Sequence, residues 1–501
     1  MTVNGIKRRK LLQLFSVLAA VGICIGAALY FLWSRGVFLP GWIRWEDGTV
    51  HDRTGRYEAA LEHRQVRVLS GGRLLWTSPE GVKVQEILSC DIDNDEEDEL
   101  LLLCWKRGRY GRYRPFWVEE DEKGWSQHLF VYEYEQGEIV PKWMSSYLGE
   151  DVAHIAGNGK AAPAVRLLMT DGEGEISSWI WGNWGFSREK TDIDFVVFGD
   201  NIIHEPIYRY GLEQGGTFDF LFENVQETIS DADIAVINQE TPLTDDPSMY
   251  GDYPRFGTPV QVGQAIVDAG FDVVTCATNH ALDQGAEGIA FTESFFTANG
   301  VRCLGIRAGQ GKEYRAYETM TRGGICFGML NYTYGTNGIR PPGEQPDIVH
   351  LLEDEARVRE EIAQAKAETD FVIVFVHWGT EYAHKADDFQ KKWADIFLDC
   401  GVDVVVGAHP HVLQPCEMLT SKDGHEMLIF YSIGNFVSAQ NEKICIRGGM
   451  AGFTVSLTKE GYGVKEAFLR PLAISWEQGG KYTADFIPYL PKIWRLSRDG
   501  R

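Results

Sequence analysis

The sequence predicts an α/β layered domain over residues 191–501, preceded by a small β-rich domain over 36–190 and one membrane-spanning helix. Three observations carry this reading. An uncharged apolar run opens the chain, short β-type runs broken by Gly, Asp and Lys follow, and from Asp194 apolar strands alternate with helical segments. At 501 residues, 44% hydrophobic and 12% aromatic, the chain exceeds one ordinary core and has ample apolar surface for two.

The first element is the run at 11–33. It follows a basic tail (1–10, with "KRRK" at 7–10) and carries no charge; Gln13, Ser16 and Tyr30 are its clearly polar groups. That length crosses a bilayer core as a helix. A signal peptide has a shorter apolar run and a small-residue cleavage site. Here apolar residues continue past "GAA" at 26–28, so an uncleaved anchor is expected. The cationic tail stays cytoplasmic and everything after Arg35 lies outside, giving a single-pass protein of the cell membrane.

The second element, 36–190, reads as β-type runs such as "RQVRVLSGGRLLW", "HLFVYEYEQGEIV" and "SSWIWGNWGF". Within it, "CDIDNDEEDELLLL" (90–103) sets Asp91, Asp93, Asp95 and Glu99 before an apolar strand. Alternating carboxylates on a tight loop form an oxygen cage for calcium, and a solvated acidic turn is the alternative. The spacing resembles the Asp-rich loops of FG-GAP or VCBS-type β-propeller repeats, with "HIAGNGKAAPAVRLL" (154–168) as a degenerate copy.

In the third element, strands such as "DFVVFGD", "FDVVTCA" and "FVIVFVHWG" alternate with helical candidates "FDFLFENVQETI", "PVQVGQAIVDAG", "LEDEARVREEIAQAKAE" and "DDFQKKWADIFLDCG". Uninterrupted apolar strands imply a sheet covered on both faces. Ligands in such folds gather at the carboxyl ends of the strands. There the sequence delivers Asp200 and His204, Asn238 and Glu240, Asn279, His280 and Asp283, His377 and Glu381, and His409 and His411. Five of the twelve histidines lie at these ends. If they converge, burying so many ionisable groups requires a compensating cation. Imidazole, carboxylate and amide oxygen without thiolate suit Mn, Fe, Zn or Mg, and the donors suffice for two ions sharing a carboxylate.

The net charge of −24 argues against nucleic acid, which needs a basic face. The chain holds no GxxxxGK[ST] loop, GxSxG elbow or dinucleotide-binding glycine fingerprint. Its nine cysteines show no CxxC spacing and specify no disulfide.

"VVFGD", "NQETPL", "NHALDQGAEGI", "HWGTEY", "GAHPHVLQP" and "YSIGNF", in that order over about 194–437, resemble the CapA family of capsule-synthesis, poly-γ-glutamate-associated proteins. The resemblance implies a four-layer αββα sandwich like that of calcineurin-type metallophosphatases, with a dinuclear metal centre. By that pattern Asp200, His204 and His411 resemble the ligands of one ion, and Asn279, His377 and His409 those of the other, with Glu240 bridging. His280, paired with Asp283, resembles the histidine that assists the leaving group. Glu381 and Asn435 are expected behind the ligands or along the pocket. Two departures stand out: Asp200 and His204 are four apart rather than two, and Glu240 replaces the usual Asp. The resemblance implies a membrane-anchored protein of capsule or poly-γ-glutamate biosynthesis or export. It would act on an anionic polymer or a phosphoester, beside polymer-synthase subunits. A non-catalytic polymer-binding component and a general envelope phosphoesterase are the alternatives.

Overall fold

The computed structural model describes residues 3–108, 123–158, 166–308, 315–343, 345–440, 442–458, 461–477, 480–487 and 494–497, with side chains described from Ser16 onward. Residues 159–165, within the expected second Asp-loop copy, fall outside these. Val3–Ser34 forms one helix, and its Ser16–Ser34 segment is long and apolar enough to cross a membrane. At ~1.5 Å per residue such a segment approaches the thickness of a bilayer core.

The chain divides into two units, Met1–Glu189 and Lys190–Arg501. After the helix, the described residues of the first unit form three successive four-stranded antiparallel sheets, each an up-and-down meander. The middle one contains Val82–Cys90, Glu99–Arg107, Trp125–Glu135 and Glu138–Met144. Along Glu99–Arg107 the side chains alternate faces, as a strand dictates. Leu100, Leu102 and Cys104 pack with Ala59, Val66 and Val68 of the first sheet. Leu101 and Leu103 pack with Ile155 and Leu167 of the third. Both faces are buried, which is why "LLLLCW" reads as continuously apolar.

The second unit is built on two larger sheets. In one, Arg302–Leu304, Val273–Thr275, Ile234–Gln239 and Ile193–Asn201 run parallel, and Arg447–Thr458 and Gly461–Trp476 continue antiparallel. In the other, Ile325–Thr333, Phe371–His377, Val404–Ala408 and Glu426–Phe430 run parallel between antiparallel edges. Phe195, Val197 and Val236 of the first sheet share one core with Phe327, Ile373 and Val406 of the second. The intervening residues Val196, Phe198 and Ile237 point the other way, into a core with Ile207, Ile266, Ile289 and Phe296 of the covering helices. Val372, Val374 and Val405 likewise meet Val358, Ile362, Trp393 and Phe397 on the outer face of the second sheet. The layers are therefore helix, sheet, sheet, helix: the αββα sandwich. Each such fully buried aliphatic or aromatic side chain contributes roughly 1.5–3 kcal/mol of transfer free energy.

Local signals match the covering helices. Asp387 and Gln390 form a reciprocal capping box ahead of Asp388–Asp399, and Asp354 caps Glu355–Glu368. Val260–Ala269 ends on Gly270 in the left-handed conformation, at φ 91°. "FDFLFENVQETI" differs from expectation. It forms a short 3₁₀ turn, Asp219–Leu221, and a separate helix, Gln226–Asp231. Tighter bonds, from Leu221 N to Phe218 O and from Val225 N to Phe222 O, turn Phe218, Leu221, Phe222 and Val225 all into the core. The charged 355–368 helix buries one of its own carboxylates. Glu361 is buried, accepting from the Tyr332 hydroxyl at 2.6 Å and from Arg357 Nε at 2.8 Å.

His350 lies near that carboxylate. Burial lowers its pKa to about 4, with Glu361 and Asp347 acting upward and Arg357 and Arg307 downward. The unfolded chain takes up this proton near pH 6.5. The neutral ring's contribution to stability is thus complete above that pH and is lost as pH falls from about 6.5 towards 4. Chemical denaturation at pH 7 and pH 5 should show the wild type losing about 2 kcal/mol more than His350→Gln over that interval. Equal losses in both proteins would contradict the assignment.

Candidate metal centre

The parallel strands of both sheets of the second unit end at one place. Asp200 is the second-to-last residue of the strand Ile193–Asn201, Glu240 lies one residue past Ile234–Gln239, and His377 closes Phe371–His377. His409 and His411 follow Val404–Ala408, and Asn435 opens Asn435–Val437 beside Asp200. All are buried, as are Asn279, His280 and Asp283. Glycines make the convergence sterically possible. A Cβ on Gly199 would lie 1.8 Å from Gly434 O, and one on Gly407 would lie 2.0 Å from Tyr431 O. The two histidines flanking Pro410 both adopt left-handed backbone, φ 95° at His409 and 58° at His411. Such residues cost on the order of 1–3 kcal/mol each and persist only where surrounding contacts enforce them. Here His409 N donates to Asp200 Oδ2 at 3.2 Å, and Tyr382 N donates to Pro410 O at 2.8 Å.

Glu240 is the shared element. One group of ligand atoms comes from Asp200, Glu240 and His377, another from Glu240, His409 and His411, and within each group the atoms lie within 4.8 Å of one another. Glu240 Oε1 is 3.8 Å from His377 Nε2 and 4.0 Å from His411 Nε2. Neither of its carboxylate oxygens has a hydrogen-bond partner, nor do His377 Nδ1 and His409 Nδ1. Burial pushes Glu240 well above the usual carboxylate range, and Asp200, Glu381 and Asp283 add to the effect. Burial, reinforced by neighbouring imidazoles, holds His377 and His409 well below the usual histidine range, in the neutral form that binds cations. Buried polar atoms without partners are rare and costly. A pair of divalent cations would satisfy them, and the donor set fits such ions.

Contacts behind the ligands orient them. Asn435 Oδ1 lies 3.0 Å from His411 Nδ1 and Asp200 Oδ2 lies 3.1 Å from it, leaving Nε2 to face Glu240. Asn238 Nδ2 donates to Asp200 Oδ1 at 2.7 Å and accepts in turn, through Oδ1, from Thr275 Oγ1 at 2.9 Å. Asn279 Oδ1 is 2.9 Å from His377 Nε2. His280 Nδ1 pairs with Asp283 Oδ2 at 2.7 Å, and the same oxygen accepts from Phe256 N at 2.8 Å. The Phe256 ring stands edge-on to His280 and to His204, at 4.7 and 5.3 Å.

The ligand groups pair Asp200 with His377 and His409 with His411, where the resemblance implied Asp200 with His411 and His377 with His409, and two further residues sit differently. His204 is in neither ligand group; as the residue before Glu205–Glu213, it turns Nδ1 to Ile202 O and Ala439 N, each at 3.3 Å. Its four-residue separation from Asp200 places it after the strand has ended. Glu381 is exposed, and its charge acts on Glu240, Tyr334 and Tyr382. Sequence reasoning passed over Phe256, Tyr334 and Asn337. The "TNG" of 336–338 marks a turn, but nothing in it announces that the turn meets the site.

In the first unit the Asp-rich loop brings Asp91, Asp93 and Glu99 together. Lys142 Nζ already stands among them, 2.7 Å from Asp93, 2.5 Å from Glu99 and 3.2 Å from Glu133. Arg53 reaches Asp91 at 3.3 Å. Cationic side chains thus stand beside these carboxylates. Asp95 lies outside the group and accepts from Glu97 N.

Buried imidazoles and carboxylates thus cluster at the joint strand ends of an αββα sandwich. Residues 194–440 match the family described as Bacterial capsule synthesis protein PGA_cap, and this domain belongs to the CapA family. The Capsule biosynthesis protein CapA of Bacillus anthracis is 30% identical over 50% of this chain and 61% of its own length. The PGA biosynthesis protein CapA of Bacillus subtilis (strain 168) is 29% identical over 56% of this chain and 72% of its own. The chain thus spans less than two thirds of the first of these relatives. The resemblance of the β-rich region to FG-GAP or VCBS-type repeats finds no support in these matches, and the family match begins only at residue 194. Among solved structures, Haemophilus influenzae NAD nucleotidase has 10% identity and a TM-score of 0.34 over 57% of this chain and 52% of its own. Thermus thermophilus sulfate thiohydrolase SoxB has 13% identity and a TM-score of 0.33 over 57% of each chain.

Glu240→Gln removes the buried charge while keeping the shape. With chelator present, this variant should melt above the wild type, because no carboxylate is then left unpaired. Added Mn(II) should raise the melting temperature of the wild type and leave the variant unmoved. A variant that Mn(II) stabilises as much as the wild type would contradict the role given to Glu240.

Proposed function

We propose that this protein is a membrane-anchored hydrolase or transferase of the cell envelope. It would act outside the membrane on a phosphoester or an anionic polymer in capsule or poly-γ-glutamate biosynthesis. The observation that carries the chemistry is Glu240, buried with both oxygens unpaired between two histidine-bearing groups. Asp200, Glu240, Asn279, His377, His409 and His411 would hold two divalent ions. The ions would supply Lewis-acid activation of water and neutralise the charge that develops in an in-line displacement. His280, fixed at Nδ1 by Asp283, keeps Nε2 available to hold a proton for the leaving group. Phe256 closes one side of that imidazole against solvent. The cationic residues at 7–10 favour a cytoplasmic N-terminus, which puts both folded units on the outer side.

An assembly role, holding or passing on the polymer beside a synthase, is the second reading. The names of the Bacillus relatives favour it, because both speak of biosynthesis. The full chain in detergent, loaded with Mn(II) or Zn(II), separates the two on phosphodiester and phosphomonoester model substrates. The enzyme reading predicts metal-dependent turnover that falls about 10²–10⁴-fold in His280→Ala, which retains its metal. His409→Ala should lose both metal and turnover. Bound metal without turnover, in cells whose polymer still depends on the chain, would favour assembly.

A further inference from the structure

The turn that follows the Ile325–Thr333 strand belongs to no motif singled out in the sequence, yet it touches four residues of the site. Tyr334 N donates to His377 O at 2.9 Å. The Tyr334 ring lies 4.7 Å from the His409 ring, and the phenol also interacts with the Asn279 side chain. Asn337 Oδ1 accepts from Asn279 Nδ2 at 3.3 Å, and Asn337 Nδ2 lies 3.4 Å from His280 Nδ1. His280 Nδ1 is committed to Asp283 at 2.7 Å, so the last of these is a packing contact. The turn is itself braced: Asn337 and Gly338 are left-handed, at φ 50° and 77°, and Thr336 Oγ1 donates to Ile339 O at 2.5 Å.

The contact with Asn279 has a chemical consequence. Only the oxygen of a carboxamide offers a lone pair to a cation; the NH₂ end is a donor. An acceptor behind Nδ2 fixes which end faces forward, and here Oδ1 faces His377 Nε2 at 2.9 Å. We propose that the Tyr334–Asn337 turn is a positioning element for one half of the metal centre. It sets the amide orientation of Asn279 and, through Tyr334 N on the His377 carbonyl, braces His377, and so governs the occupancy of the ion on the Asp200, Glu240 and His377 side. The inference rests on the metal-centre reading and concerns a segment outside the proposed ligand set.

Equilibrium dialysis of the full chain against graded Mn(II), followed by elemental analysis, tests it. Glycine accepts the left-handed backbone at 337, so Asn337→Gly removes the acceptor without straining the turn. Asn337→Asp keeps an acceptor in place. The wild type should bind two ions. Asn337→Gly should bind one normally and the other about 10–100-fold more weakly, the size of effect typical for a partner behind a ligand. Asn337→Asp should stay close to wild type, and all three metal-free proteins should melt together. The proposal is overturned if Asn337→Gly binds both ions like the wild type, if both ions weaken equally, or if Asn337→Asp falls as far as Asn337→Gly. A wild type that binds no ion would overturn the metal-centre reading itself, an outcome distinct from any of these.

Discussion

A carboxylate enclosed in protein with no hydrogen bond to either oxygen is the constraint around which the second unit is organised. Glu240 sits where the two sheets bring their strand ends together, with imidazoles on both sides and Asp200 behind. Leaving a charge so placed without a counter-ion costs several kcal/mol, and proteins avoid this unless the group works. The neighbouring groups do not relieve it. Asp200 raises the cost, and His377 and His409 are held neutral by the same burial. The arrangement is adverse for a bare protein and favourable for one that holds divalent cations.

The fold creates and sustains that adverse arrangement. Two sheets joined by a shared apolar core point their parallel strands at one edge, so residues more than two hundred positions apart become neighbours. The close approach of backbones at Gly199 and Gly407 draws the strand ends inward. The left-handed histidines about Pro410 then aim two imidazoles from a single three-residue stretch. Strain at His409 and His411 is offset by the mass of well-packed strands beneath them. Substitutions in that core act on the site by changing where the strands end, without touching a ligand.

Much of this is legible from sequence because both signals are local. Apolar strands alternating with capped helices gave the layers, and a polar residue at the end of each strand marked the edge. The middle sheet of the first unit is legible for the same reason, through "LLLLCW". What was not legible depends on distances that no spacing encodes. His204 follows Asp200 closely in sequence, yet it falls past the end of the strand, just before the Glu205–Glu213 helix, and lies in neither ligand group. The carboxylates of 91–99 read as an acidic loop, but that Lys142, more than forty residues on, stands beside two of them is something no spacing announces. Phe256 and Asn337 reach the site from loops whose own sequences say only that they turn.

The most direct test is a crystal of the second unit, within the full chain, grown with Mn(II) and measured at the manganese absorption edge. The account predicts two anomalous peaks flanking the Glu240 carboxylate, one towards His377 and one towards His409 and His411. A map with no peak there, and Glu240 bonded instead to a protein group, would contradict it.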